Sequence, residues 1–274
     1  MTKSLITWSV AGILGKRNTG LAFASAAMGA VMGLAVTSAS AGTIISMDLG
    51  NSTALANNSS TFAGVVSAAY WNNPTGTPTF SGKPLNDSTG AASGATISGV
   101  NLASNTTSNI AVVSGDNNTT MYNRGVTMNA VQNTTGSSLQ VSSLPSALTS
   151  SGYDVIVYFA AYSSGTWGVK VDDGTPAHLQ TYYASVDAAT PDYTTGGGFV
   201  QATSTDSASP STGNYMRFTR LNGSSFTVTV PTGGSNQFLD VTGMQIVPTP
   251  EPASLALLAL GGLLFIPARK TVRG

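Results

Sequence analysis

The run from position 153 to 162, Tyr-Asp-Val-Ile-Val-Tyr-Phe-Ala-Ala-Tyr, places aromatic and β-branched residues at both odd and even positions. Successive side chains of a strand point to opposite faces, so an apolar pattern on both parities predicts a central strand covered on both sides. The rest of the middle reads as shorter strands at 43–49, 95–102, 110–114, 139–141, 179–184, 198–203, 238–241 and 244–247. Trp167, Val169 and Val171 alternate with Gly168 and Lys170, the pattern of a half-exposed strand, and Phe226, Val228 and Val230 alternate with outward Thr227 and Thr229. Asn222-Gly223 between strands 215–221 and 226–230 is a strong hairpin signal. Residues 76–94, with Pro78 and Pro84, read as irregular; Asp116-Asn117-Asn118 reads as a loop and Asp172-Asp173-Gly174 as a turn. Short strands punctuated by Gly, Pro and Asn, with no sustained helical period between the two ends, predict an all-β chain: a single antiparallel β-sandwich over 42–247, with jelly-roll-like wiring preferred.

Charge narrows the partners. From Gly42 to Val247, five basic residues (Lys83, Arg124, Lys170, Arg217, Arg220) stand against ten acidic ones, all Asp, for a net charge of −5. So few cations cannot neutralise a run of phosphates, and nucleic acid is discounted as a partner. The chain has no cysteine, which excludes a disulfide framework and thiol chemistry. Aromatic and β-branched residues recur throughout the Ser/Thr/Asn-rich text, which favours a folded, polar-surfaced domain over disorder.

The two ends read as addresses. Lys3, Lys16 and Arg17 precede an apolar run over 21–36, and Ala39-Ser40-Ala41 before Gly42 is a small-x-small cleavage site, so 1–41 is expected to be a cleaved signal peptide handed to the secretion translocon. At the other end, Pro250-Glu251-Pro252 leads into an apolar segment over 253–266 and a basic tail with Arg269, Lys270 and Arg273. As a helix this segment would rise about 21 Å, short of the roughly 30 Å hydrocarbon core. It is expected to be a hydrophobic sorting helix inserted transiently in the inner membrane, with its tail on the cytoplasmic side. Residues 248–274 resemble the PEP-CTERM sorting signal of Gram-negative bacteria, although the basic residues are more spread out than a tight arginine cluster. The resemblance implies an exosortase that recognises Pro-Glu-Pro and processes the protein for delivery to the cell surface or extracellular matrix.

A second resemblance is broader in pattern. The strand 153–160 and the closing Gly243-Met244-Gln245-Ile246-Val247 look like the late strands of galactose-binding-like and malectin-like domains, which implies a jelly-roll-like sandwich. Side chains able to offer an apolar face to a sugar are Trp71, Trp167, Tyr162, Tyr182, Tyr183 and Tyr193, with Trp167 the first choice and Asp172 and Asp173 as nearby acceptors. Each tryptophan also fits a core position.

Catalytic inventory is sparse. His178 is the only histidine and Glu251 the only glutamate, and the glutamate belongs to the sorting segment. A nucleophile–base triad could draw only on His178, no carboxylate pair lies in a recognisable motif, and no catalytic residue is assigned. Gly196-Gly197-Gly198 lacks the Lys-Ser/Thr of a phosphate loop and reads as a turn. Asp116, Asp172 and Asp173 could lend oxygens to calcium, though turns use the same residues for backbone reasons. The expectation is an exported, non-enzymatic surface or matrix protein with polysaccharide as candidate ligand; the rivals are a structural coat protein without a small ligand and a secreted polysaccharide hydrolase.

Overall fold

The structure is a computed structural model; it describes residues 43–50, 55–74, 79–104, 117–122, 125–129, 136–160, 165–186, 198–231 and 238–249, all within the compact unit Ser40–Gly274. Among these residues the protein is mostly β, in two sheets. The six-stranded sheet holds β1 (Ile45–Asp48), β4 (Ala103–Ser104), β5 (Val126–Asn129), β7 (Tyr153–Ala160), β11 (Tyr215–Leu221) and β13 (Phe238–Pro248). The seven-stranded sheet holds β2 (Phe80–Asn86), β3 (Ala92–Val100), β6 (Ser138–Ser142), β8 (Gly165–Asp172), β9 (Gln180–Val186), β10 (Ser211–Thr212) and β12 (Phe226–Thr229). Pairing is antiparallel except for the two-residue β9–β10 contact.

The prediction for 153–162 holds over the described part of that run. β7 lies between β11 and β13, and Tyr153 to Phe159 are all buried. Its odd positions, Val155, Val157 and Phe159, join an apolar core with Val169 and Val171 of β8, Leu139 and Val141 of β6, and Val228 of β12. This core binds the two sheets face to face; Tyr153 meets Phe226, and Tyr182 meets Phe218. The even positions Ile156 and Tyr158 enter a second cluster on the opposite face, with Leu55, Trp71, Met121 and Tyr122.

Three local readings are corrected. The Asn222-Gly223 hairpin does not form: β11 pairs with β7 in one sheet, while β12 pairs with β6 and β8 in the other. A tight hairpin of the favoured type needs positive φ at both central residues, and neither Asn222 nor Gly223 has it. Instead the Asp173 carboxylate accepts the N–H of Asn222 (3.0 Å) and of Gly223 (3.1 Å), turning the chain from one sheet into the other. Asn117 and Asn118 are not loop residues; they open α1 (Asn117–Tyr122), whose Met121 and Tyr122 are buried against the six-stranded sheet. Residues 80–86 form β2 despite Pro84. β2 is the outermost strand of its sheet, where a residue without N–H breaks no interior ladder.

Smaller differences follow the same logic. The predicted strands at 238–241 and 244–247 are one strand, β13, with a register shift between Val241 and Gly243. Within 198–203 Gln201 makes one isolated bridge, to Tyr215, in place of a strand. The predicted strand 110–114 lies outside the described residues. A short helix, α2 (Ser146–Thr149), follows β6, and a 3₁₀ turn, Pro176–His178, follows β8.

Candidate functional site

The two sheets present opposite outer faces. On the six-stranded sheet, residues 55–71 lie across the surface, and the outward polar groups of Ser46, Asp48, Tyr158 and Gln245 are engaged by that segment or by one another, whereas the buried Thr242 hydroxyl of β13 has no hydrogen-bond partner among the described residues. The Tyr158 hydroxyl donates to Gln245 Oε1 and accepts the Val65 N–H at 2.7 Å. Gln245 Nε2 donates to the Val66 carbonyl (2.7 Å) and to Ser46 Oγ (3.1 Å). Gly64 is required here: its φ is +93°, and a Cβ would collide with the Gln245 carboxamide. Asp48, 1% exposed, accepts the N–H of Gly50 at 2.8 Å and of Leu55 at 2.7 Å. Burial pushes its carboxyl up to about 7, and those two donors only partly oppose the shift.

The outer face of the seven-stranded sheet carries no such cover among the described residues. Register across its centre aligns Asp172 with Thr227 and Thr227 with Gln140, and, one pleat along, Lys170 with Thr229 and Thr229 with Ser138. Strand spacing puts neighbours in each row about 4.8 Å apart, with the two rows about 7 Å apart. Gln140, Lys170, Asp172, Thr227 and Thr229 line an open depression of about 430 Å³, with Asp173, Gly174, Ser225 and Phe226 completing its lining. The side chains of Gln140, Lys170, Thr227 and Thr229 make no hydrogen bond or ion pair within the described protein, and Asp172 accepts only the Gly174 N–H (2.9 Å). The floor is thus a patch of uncommitted donors and acceptors.

Beyond Lys170 the same face changes character. Gly168 of β8 pairs with Tyr183 of β9, and a Cβ at Gly168 would lie 2.9 Å from Tyr183 Cε1 and 2.6 Å from Pro231 Cγ. The tyrosine ring and the proline ring therefore close over the bare glycine and form an apolar step beside the polar rows. The Tyr183 hydroxyl has no partner among the described residues.

Of the sequence-predicted site residues, Asp172 and Asp173 line the depression and Tyr183 lies on the same face, while the tryptophans do not join them. Trp71 is fully buried in the second cluster, its indole N–H donating to the Ala68 carbonyl at 2.9 Å. Trp167 is 2% exposed in the core between the sheets, and its indole N–H has no acceptor among the described residues. Both tryptophans pack; neither reaches the open face. Asp172 lines the depression as an open acceptor, whereas the Asp173 side chain is buried and accepts from Thr175 N (3.0 Å), Asn222 N, Gly223 N and His178 Nδ1 (3.0 Å). Burial pushes the Asp173 carboxyl up, but the donors from Asn222, His178, Thr175 and Gly223 prevail and hold it below the ordinary carboxylate range. Its lone pairs are filled by the chain, which suits a corner post better than a calcium ligand. Among the described residues there is no cluster of three metal-binding side chains, and no hydroxyl is hydrogen-bonded to the His178 ring.

Tyr162, Tyr193, Asp116, the cleavage-site residues Ala39, Ala41 and Gly42, and the sorting residues Pro250, Glu251, Pro252, Arg269, Lys270 and Arg273 lie outside the described residues. Among the described residues no helix is long and apolar enough to cross a membrane. Sequence reasoning missed Gln140, Thr227, Thr229 and Lys170 as a group; the outward threonines on one strand were the available signal, and cross-strand register, which the sequence does not give, assembled the rest. No family model, no curated protein and no solved structure matches the chain.

Proposed function

We propose that this is an exported, non-enzymatic protein whose sandwich domain binds polysaccharide at the cell surface or in the extracellular matrix. The observation that carries the binding is the contrast in commitment: Ser46, Asp48, Tyr158 and Gln245 are hydrogen-bonded on one outer face, while Gln140, Lys170, Thr227 and Thr229 at the centre of the other have no side-chain partner among the described residues. Free donors and acceptors on a rigid sheet suit a ligand rich in hydroxyls. The alternation of consecutive strands between sheets, as in β11, β12 and β13, supports a jelly-roll-like wiring.

Delivery rests on the two ends of the sequence. On this reading the signal peptide enters the translocon, the hydrophobic segment over 253–266 holds the protein transiently in the inner membrane, and an exosortase acts at Pro250-Glu251-Pro252. The non-enzymatic assignment rests on the sparse catalytic inventory of the sequence, with one histidine and one glutamate; the Asp173 carboxylate is occupied by four donors of the fold. Mass spectrometry of the mature termini, with cell fractionation, tests delivery. The expected product starts at Gly42 and lacks 253–274; surface-exposed protein retaining that segment would overturn processing here.

A further inference from the structure

Building on the polysaccharide reading, we infer that the open face of the seven-stranded sheet is a binding site for an uncharged hexose polymer, with the Tyr183–Pro231 step as stacking platform and the depression between Lys170 and Gln140 as hydrogen-bonding floor.

The chemistry of the floor selects the ligand. Lys170 can only donate and the Asp172 carboxylate accepts, while Gln140, Thr227 and Thr229 do both. A sugar ring offers adjacent hydroxyls, each able to donate to one neighbour and accept from another. Such a pair can donate to Asp172 while accepting from Lys170, a demand that neither an apolar ligand nor a simple anion meets. Thr227 and Thr229, and beyond them Gln140 and Ser138, carry the two polar rows across the neighbouring strands, which suits an extended chain better than a single sugar.

The apolar step selects further. Hexose rings in a polymer carry a face of C–H groups, and such faces settle on flat side chains whose other side is supported. Gly168 supplies that support by absence: with no Cβ, it lets Tyr183 and Pro231 close over the strand. Gly82 and Gly94 of this sheet face open space, and Gly99, which pairs with the core residue Leu139, is covered from inside by Leu102 and Phe80, so its cover belongs to the core and offers no outward step.

Charge excludes the acidic alternatives. A uronate or sulfate placed on Lys170 would also sit about 7 Å from the Asp172 carboxylate, on a domain whose net charge over 42–247 is −5. One cation beside one anion favours a neutral partner over a polyanion. The depression, about 430 Å³, is in the size range of small-ligand sites and open enough to let a chain pass through it.

The test is affinity electrophoresis of the full chain in native gels cast with soluble neutral polysaccharides (dextran, galactomannan, β-glucan) or acidic ones (alginate, polygalacturonate). Melting temperature is recorded for every variant. Retardation by at least one neutral polymer is expected, with Tyr183→Ala and Asp172→Ala each weakening it roughly tenfold, the size of one lost stacking or hydrogen-bonding contact. Thr96→Ala, elsewhere on the sheet, should retain full retardation. Gly168→Val provides a second route: it displaces the platform while leaving Tyr183 in the sequence, and it should also weaken retention. Retardation unaffected by Tyr183→Ala, Asp172→Ala and Gly168→Val in folded protein would overturn this site and leave the polysaccharide reading standing. Retardation by acidic polymers alone would overturn the neutral class. No retardation by any polymer would overturn both the site and the reading it rests on.

Discussion

Ser46, Asp48, Tyr158 and Gln245 on one sheet, and Gln140, Lys170, Thr227 and Thr229 on the other, all point away from the core between the sheets. They nonetheless behave as opposites. The first set is buried beneath residues 55–71 and satisfied by that segment or by one another. The second set is open and unsatisfied within the described protein. A polar residue under cover must be paired or it costs stability, whereas a polar residue in water costs almost nothing unpaired. The difference separates a face that serves the fold from a face available for binding. It also says which substitutions should damage stability and which should spare it.

The largest expected effect is a pH dependence originating on the covered face. The folded Asp48 carboxyl is raised to about 7 from an ordinary value of 3.8, chiefly by burial. Raised in the fold, it favours the protonated form, so its stabilising contribution is complete below 3.8 and is lost as pH rises through about 7. The loss is on the order of 4 kcal/mol, since each tenfold change in proton affinity between the folded and unfolded chain is worth about 1.4 kcal/mol. Denaturant titrations at pH 4, 5.5 and 7.5 should show stability falling across that window, and Asp48→Asn should flatten the fall. Asp173 acts with opposite sign: lowered in the fold, its contribution is present above 3.8 and lost as pH drops below it. An Asp48→Asn protein whose stability still falls from pH 4 to 7.5 would show that Asp48 is not the titrating group.

Next in size is the Gln245 network. Gln245→Ala leaves the Tyr158 hydroxyl, the Val66 carbonyl and Ser46 Oγ with fewer partners under cover, at about 3 kcal/mol in chemical denaturation. Tyr158→Phe, which removes one hydroxyl and leaves the Val65 N–H unpaired, should cost less, about 1–2 kcal/mol. Equal and negligible losses from both would mean that residues 55–71 do not seal this face.

How far the sequence revealed these two faces follows from the range of the interactions involved. The β7 strand was legible because burial on both sides writes apolar residues into both parities of one short segment. The inward Phe226 and Val228 with outward Thr227 and Thr229 were legible for the same local reason. The Asn222-Gly223 corner was not, because the residue that shapes it, Asp173, lies 49 positions from Asn222. The tryptophans misled as well: a large amphipathic ring reads the same whether it fills a core or lines a sugar site, and Trp71 and Trp167 fill cores. Tyr183 stood among the candidate aromatics, but its setting depends on pairing with Gly168, which only the β8–β9 register supplies. Local pattern recovered most of the longer strands but missed β2 and β5; long-range pairing decided which polar groups were left free.

The smallest expected stability effect is the sharpest test of the comparison. Thr227→Val and Thr229→Val on β12, together, remove two hydroxyls from the centre of the open face. The replacements keep β-branching, and with it the strand preference and the side-chain volume. If these hydroxyls have no partners in the protein, their loss strands no buried group, and unfolding free energy should shift by less than about 0.5 kcal/mol. Equilibrium denaturation can resolve this alongside Gln245→Ala in the same buffer. The polysaccharide reading adds a second readout from the same protein, because the same two hydroxyls lie in the proposed binding floor, so retention on a neutral polymer should fall while the melting temperature holds. A loss of about 2 kcal/mol or more, the scale of a buried group left unpaired, would show that the threonines support the fold after all, and the division between a committed face and a free one would fail at its centre.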